Sequence, residues 1–390
     1  MCMPRTTRFR MGRAPSAPGL VARTLAVVLL LSACTAANPS ATPAPTPTRD
    51  PNALNVTALL DLSGSRAPSG APQRDALQLW ADQHSAGTPR VKLKITDVAG
   101  SRSKTVLELR REVVDARADA IIVGAAVDYD DAFAAAIQLA QVPVLFTLPI
   151  PEPATHGGGW AFALAPTPAQ LARRVLDDAA QRSVLASGLL VSDESTTAIS
   201  ERIAFANELT RRQVTPNVVT VTPAEATQKL RPLLATTAIV LLAGTPRTYL
   251  EAARTVAVGT TLYLSYLSDF GDLGDLREAA PLAVWPGSRW IATGPLTGSG
   301  TARAIFMQTY TDRAGPPTSV AASAYDALAL LSSAAEKSID PQSVRDRLQS
   351  GTFTGVATTY TFSPSQHAGF NPGDLALLRY VGPRTSPTLR

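Results

Sequence analysis

From about residue 55 onward the chain alternates short apolar runs with stretches whose apolar residues recur at helical spacing, and it does so twice. Residues 56–60, 91–96, 120–123 and 142–146 read as strands. Between them lie three helical stretches. The first runs to about residue 84 with Leu77, Leu79 and Trp80 on its apolar side. The second, 103–116, places Val106, Leu109 and Val113 on one face, and the third, 130–141, is rich in alanine. Strands that are apolar along their length are buried on both faces, the pattern of a parallel sheet covered by helices, with right-handed crossovers. The pattern restarts near residue 167. Helices are expected at 167–180, 197–211, 223–234 and 246–256, and strands at 186–191, 217–221, 238–242 and 261–265. Two helices (301–313 and 319–337), a short one near 341–349, and late strands near 356–362 and 375–380 complete the chain. With 390 residues it is longer than one hydrophobic core usually spans, so two lobes are expected.

The first 54 residues are of a different kind. Residues 1–23 carry Arg5, Arg8, Arg10, Arg13 and Arg23 and no acid, residues 24–31 form a short apolar run, and Ser32-Ala33-Cys34 follows. That order is the order of a secretory signal peptide. The run is too short to span a bilayer, which takes about 20 apolar residues. Leu31-Ser32-Ala33-Cys34 resembles the bacterial lipobox, which implies cleavage before Cys34 and attachment of a diacylglyceryl group to its sulfur. Met1 and Met11 both leave a workable basic region as the start. Residues 35–52 hold five prolines among small polar residues. They cannot build a core, so 34–54 reads as an extended tether. The expected location is the extracytoplasmic face of the cell membrane, with the lipid as anchor.

The net charge of +5 comes from the leader: of 36 Lys and Arg against 31 Asp and Glu, five basic residues lie before Cys34. The remainder is near neutral, which argues against nucleic acid as a partner. Cys2 and Cys34 are the only cysteines. Cys2 lies in the segment expected to be removed, so neither a disulfide framework nor a cysteine metal site can form. His84, His156 and His367 are scattered without ligand spacing. No metal and no cofactor are expected.

Several short motifs then occur in a telling order. Leu60-Asp61-Leu62-Ser63-Gly64-Ser65 with Gly70, Ile95-Thr96-Asp97 before Ser103-Lys104-Thr105, Asp119-Ala120-Ile121-Ile122-Val123-Gly124 and Val142-Pro143-Val144-Leu145 come first. Ala324-Tyr325-Asp326-Ala327-Leu328 and Gly351-Thr352-Phe353-Thr354-Gly355 with Tyr360-Thr361-Phe362 come late. Together, from about residue 55 to 380, they resemble the type I periplasmic binding proteins, in particular the branched-chain amino-acid and amide-binding lipoproteins of ABC transporters. The resemblance implies an α/β fold of two Rossmann-like lobes with parallel-sheet cores joined by a three-strand hinge. Lobe one would hold 55–166 and 295–362, and lobe two 167–294 and 363–390. It also implies a monomer that takes a small polar solute into the cleft between the lobes and presents it to an ABC permease.

In parallel α/β sheets, ligands collect beyond the carboxyl ends of the strands. That rule selects Ser63, Gly64 and Ser69 after the first strand, Asp128 and Tyr129 after the third, Leu148 after the fourth, and Thr245 and Asp269 in the second lobe. Amino-acid-binding relatives carry a Ser/Thr run in the third-strand loop. This chain reads Ala126-Val127-Asp128-Tyr129-Asp130-Asp131 there. Carboxylates repel an amino acid's own carboxylate. A cationic, amide-like or aromatic ligand fits better, with Asp128 opposing positive charge and Tyr129 offering a stacking face. The same acids also suit the start of the following helix, and both readings stand open at this point.

His156-Gly157-Gly158-Gly159-Trp160 resembles the oxyanion loop of lipase-like hydrolases, but the chain has no Gly-x-Ser-x-Gly elbow. It has no Gly-x-x-x-x-Gly-Lys phosphate loop either. With no nucleophile and base in evidence, the chain is read as a binding protein and not an enzyme. Trp285 and Trp290 are expected to pack rather than to edge the cleft. Two functions remain: a transport receptor, or a sensor or envelope-regulating module of the same fold with a degenerate cleft.

Overall fold

The computed structural model describes residues 50, 52–115, 117–157, 159–181, 185, 188–222, 224–234, 239–243, 261–266, 289–295, 300–379 and 388–389. Within them the fold is α/β, with two lobes built on separate sheets. In the first, β1 (Ala53–Leu60), β2 (Arg90–Asp97), β3 (Ala120–Gly124), β4 (Val144–Phe146) and β5 (Ala161–Ala163) form a parallel sheet in the order β2-β1-β3-β4-β5. The unbroken apolar strands β3 and β4 are buried at every residue, as a sheet covered on both faces requires. β2 lies at the edge and alternates: Val91, Leu93 and Ile95 pack on the core while Arg90, Lys92 and Lys94 are exposed. Charges along an edge strand discourage pairing with a foreign strand.

Helices α1 (Ala67–Gln83), α8 (Ser319–Ala335) and α9 (Pro341–Gln349) cover one face of this sheet, and α2 (Arg102–Val114) and α3 (Asp131–Ala140) the other. α8 is buried almost all round, which suits its run of alanine, serine and leucine. From its centre, the buried Asp326 carboxylate accepts the amides of Val356 (2.7 Å) and Ala357 (2.8 Å) and the Tyr360 hydroxyl (2.9 Å). Those residues belong to a hairpin, β11 (Thr352–Thr354) paired antiparallel with β12 (Thr359–Thr361). The single late strand expected near 356–362 is therefore a hairpin whose turn is held by a carboxylate.

The second lobe holds α4 (Pro168–Gln181), β6 (Gly188–Ser192), α5 (Thr196–Arg211), β7 (Asn217–Thr220), α6 (Ala226–Leu234), β8 (Ile239–Ala243), β9 (Thr261–Tyr263), β10 (Arg289–Pro295), β13 (Leu375–Arg379) and β14 (Thr388–Leu389). α7 (Thr301–Ala314) packs against α1. The sheet order is β14-β13-β10-β9-β8-β6-β7. Its β6 to β10 portion is parallel, while β13 and β14 extend one side of it antiparallel. β5 and β10 have no counterpart in the sequence reading: Ala-Phe-Ala is too short to register as a strand, and β10 begins Arg-Trp and ends Gly-Pro. Trp290 falls within β10, whereas Trp285 and the helix expected at 246–256 lie outside the described residues.

Two of the expected crossings between lobes run side by side. The Ala163 amide donates to the His367 carbonyl (2.8 Å) and the Gly369 amide to the Ala163 carbonyl (3.0 Å). His367 is buried, its ring stacked on Phe162 at 4.6 Å.

Candidate functional site

The carboxyl rim of the first sheet is braced from within. Asp61, buried at the end of β1, accepts the amides of Gly100 (2.7 Å) and Ala126 (3.1 Å), joining the loops that follow β2 and β3. Burial pushes its carboxyl above the usual range while the two amides pull it down. Asp97 accepts the Ser63 hydroxyl (2.5 Å) and the amides of Leu62 (2.9 Å) and Ala99 (2.8 Å); the Ser63 hydroxyl foremost holds it below the usual range. Gly64 takes φ +75°, a conformation side chains disfavour. The Ser69 hydroxyl donates to the Arg66 carbonyl (2.8 Å). At Gly70 a Cβ would overlap the Asp61 carbonyl, so only glycine lets α1 approach β1 this closely. Gln73 donates to the carbonyls of Ser69 and Gly124, both at 2.8 Å, and accepts the Thr147 hydroxyl.

The acidic loop after β3 divides its work. Asp130 caps α3 through the Phe133 amide (2.8 Å) and pairs with Arg102 (2.6 Å), and Asp131 meets His156 Nδ1 at 2.7 Å. The helix-start reading thus holds for Asp130. Tyr129 is buried, edge-on to Phe146 (5.3 Å) and His156 (5.6 Å), with no partner for its hydroxyl among the described residues and its pKa raised by burial. Leu148 is buried in one apolar cluster with Ala126 and with Tyr266, which follows β9 of the second lobe. Glu152 accepts the amides of Ala154 (3.1 Å), His367 (2.7 Å) and Ala368 (3.0 Å), tying the loop after β4 to a lobe crossing.

Asp128 differs from its neighbours. It is exposed, and among the described residues its carboxylate has no hydrogen-bonding or ionic partner. It lines a cavity of about 630 Å³. Pro151, Glu152 and Thr155 belong to the same first-lobe wall, while α4 and α5 supply the opposite wall, Pro168, Ile199 and Ile203 among them. Volumes of this order suit a small molecule. Of the residues selected from the sequence, Asp128 alone lines this cavity; Ser63, Gly64, Ser69, Tyr129 and Leu148 are placed in the bracing or the core beside it. Thr245, Asp269 and Cys34 lie outside the described residues.

In the second lobe, the buried Glu201 of α5 accepts the Ser265 hydroxyl (2.7 Å) through Oε1, while Oε2 has no partner among the described residues. Burial pushes this carboxyl up to about 8, and the nearby Asp193 acts in the same direction. Neither Glu152 nor Glu201 stands out in the sequence. Each gains its role from a contact far along the chain. The only local hint is a glutamate between two prolines, Pro151-Glu152-Pro153. Among the described residues, no group of three or more His, Cys, Asp or Glu could hold a metal, and no helix is long and apolar enough to cross a membrane.

Two α/β lobes on separate sheets, linked by adjacent crossings and sharing the walls of a cavity, define the two-lobed binding-protein architecture. The chain belongs to the periplasmic binding protein family, whose pattern matches residues 53–381, and its fold is the type I form. Similar solved structures include a leucine binding protein from Thermotoga maritima MSB8, with TM-score 0.69, 16% identity and coverage of 86% of this chain and 97% of that one. A periplasmic binding protein type 1 from Bordetella pertussis Tohama I aligns with TM-score 0.68 and 18% identity over 87% of this chain and 100% of that one. An ABC transporter substrate-binding protein from Desulfitobacterium hafniense in complex with Leu aligns with TM-score 0.64 and 16% identity over 86% and 100%. At such identities the likeness shows the fold alone. No curated protein sequence matches the chain.

Proposed function

We propose that this protein is an extracytoplasmic solute-binding lipoprotein, cut before Cys34, anchored there by lipid, and serving as the substrate-binding component of an ABC transporter. Lobes of 55–166 with 295–362 and of 167–294 with 363–390 would close on a small polar solute. The single observation that carries the solute reading is Asp128: an unengaged carboxylate on a cavity walled by both lobes. A cationic headgroup at Asp128 gains attraction without displacing any internal bond, and contacts with both lobes favour the closed form. Other acids of this rim are committed to amides, hydroxyls, Arg102 or His156.

A thermal-shift screen of polyamines, amides, neutral amino acids including leucine, sugars and dicarboxylates tests it, because a ligand that binds the native state raises the unfolding midpoint. Amines are expected to raise the midpoint, and Asp128→Asn to abolish the rise. A preference for dicarboxylates contradicts the reading. Anchoring is tested by fractionation: Cys34→Ala should move the protein out of the membrane fraction. One observation favours the alternative, a sensor or envelope-regulating module: Leu148 of the first lobe and Tyr266, which follows β9 of the second, belong to one buried apolar cluster. A screen in which no solute shifts the midpoint would favour that alternative.

A further inference from the structure

Among the described residues, five charged side chains line the cavity: Asp128, Glu152, Arg173, Glu208 and Arg211. Three of them are committed. Glu152 holds backbone amides of the crossing. Glu208 accepts Arg211 (2.5 Å) and Arg212 (2.8 Å), and Arg211 foremost pulls its carboxyl down to about 2. The remaining two, Asp128 of the first lobe and Arg173 of α4 in the second, are exposed and have no side-chain partner among the described residues, each other included. The same lining includes Pro151, Pro168, Ala169, Ile199 and Ile203, and Ile203 stays more than half exposed (54%).

We propose that the solute is a zwitterion whose ammonium and carboxylate are separated by an apolar spacer, with the ammonium at Asp128 and the carboxylate at Arg173. This deepens the proposed function and rests on its claim that this cavity takes the solute. An α-amino acid carries both charges on one carbon. It cannot answer two opposite charges that stand on different lobes without touching each other. A spaced zwitterion can, and its middle covers the apolar wall. The guanidinium fork matches a carboxylate in a bidentate way that an ammonium does not. Because each charge sits on a different lobe, such a ligand gains both contacts only in the closed form, which supplies the differential affinity that drives closure.

The test is calorimetry on the full chain at low salt with glycine, 4-aminobutyrate, 6-aminohexanoate and 8-aminooctanoate, and with hexylamine and hexanoate as single-charge controls. One of the spaced zwitterions is expected to bind at least about tenfold tighter than glycine and than either control. Arg173→Gln should cancel that advantage while leaving hexylamine affinity unchanged, and Asp128→Asn should weaken both. Unchanged apo unfolding midpoints in the two variants confirm that the fold is intact. If hexylamine binds through Asp128 as well as any zwitterion does, or Arg173→Gln leaves zwitterion affinity unchanged, this inference falls and the cationic-solute reading survives. If nothing binds, both fall. Equal binding of glycine and the longer homologues also overturns it.

Discussion

The carboxyl rim of the first lobe and the cavity beside it contain the same kinds of residue and use them in opposite ways. On the rim, Asp61, Asp97, Asp130 and Glu152 each accept several donors from the chain itself and hold loops in place. On the cavity wall, the side chains of Asp128 and Arg173 have no hydrogen-bonding or ionic partner among the described residues. A buried polar group must be satisfied or it costs stability, so the committed acids belong to the fold. A charge left exposed at a concave wall costs the fold little and remains available to a ligand. In the proposed site, engagement and not residue type separates the acids that hold the fold from the charge offered to a solute.

The largest effect is expected at Asp326. Asp326→Ala leaves the amides of Val356 and Ala357 and the Tyr360 hydroxyl without their acceptor. The expected loss is about 3 kcal/mol or more by denaturant unfolding; a loss below about 1 kcal/mol would show that committed acids are not structural. Gly70→Ala comes next, because its methyl overlaps the Asp61 carbonyl. It should cost about 2 kcal/mol in the same assay.

Glu201 gives a pH-dependent effect. Its folded carboxyl titrates near 8, above the ordinary 4.5. The folded state therefore holds a proton that the unfolded state has released. Stability from this group is fully present below about pH 4.5 and is lost as pH rises through about 8. Asp326, pushed up to about 7 by burial, adds a fall of the same sign. Unfolding midpoints between pH 5 and 9 should fall in the wild type and flatten, without becoming level, in Glu201→Gln. The smallest effect is expected of Asp128→Asn, within about 0.5 kcal/mol of wild type in stability, while amine binding is lost.

Much of the fold is legible in the sequence because it depends on local patterning. Unbroken apolar strands such as Ala120–Gly124 announce a doubly covered sheet, and Ile95-Thr96-Asp97 and Tyr325-Asp326 fall where the resemblance puts them. β5 and β10 escape notice because their pairing depends on partners remote in sequence: Ala161 sits beside Val144, and Arg289 beside Thr261. The candidate site is legible only in its neighbourhood. The rule that ligands lie beyond strand ends leads to the Asp128 loop. It cannot tell that Tyr129 turns into the core, that Leu148 joins an apolar cluster reaching the second lobe, or that Asp130 is spent on capping. Arg173 looks like any helix-surface arginine until α4 is set along the cavity.

The claim on which the rest depends is that the two lobes close around a solute held at Asp128. Spin labels at the exposed positions 110 and 217, one in each lobe, report it directly as a distance distribution. With saturating 6-aminohexanoate or hexylamine, the distribution should shift to shorter distances in the wild-type background and stay put in Asp128→Asn. A distribution that ignores both probes in the wild type, or that shortens equally in Asp128→Asn, would contradict the account.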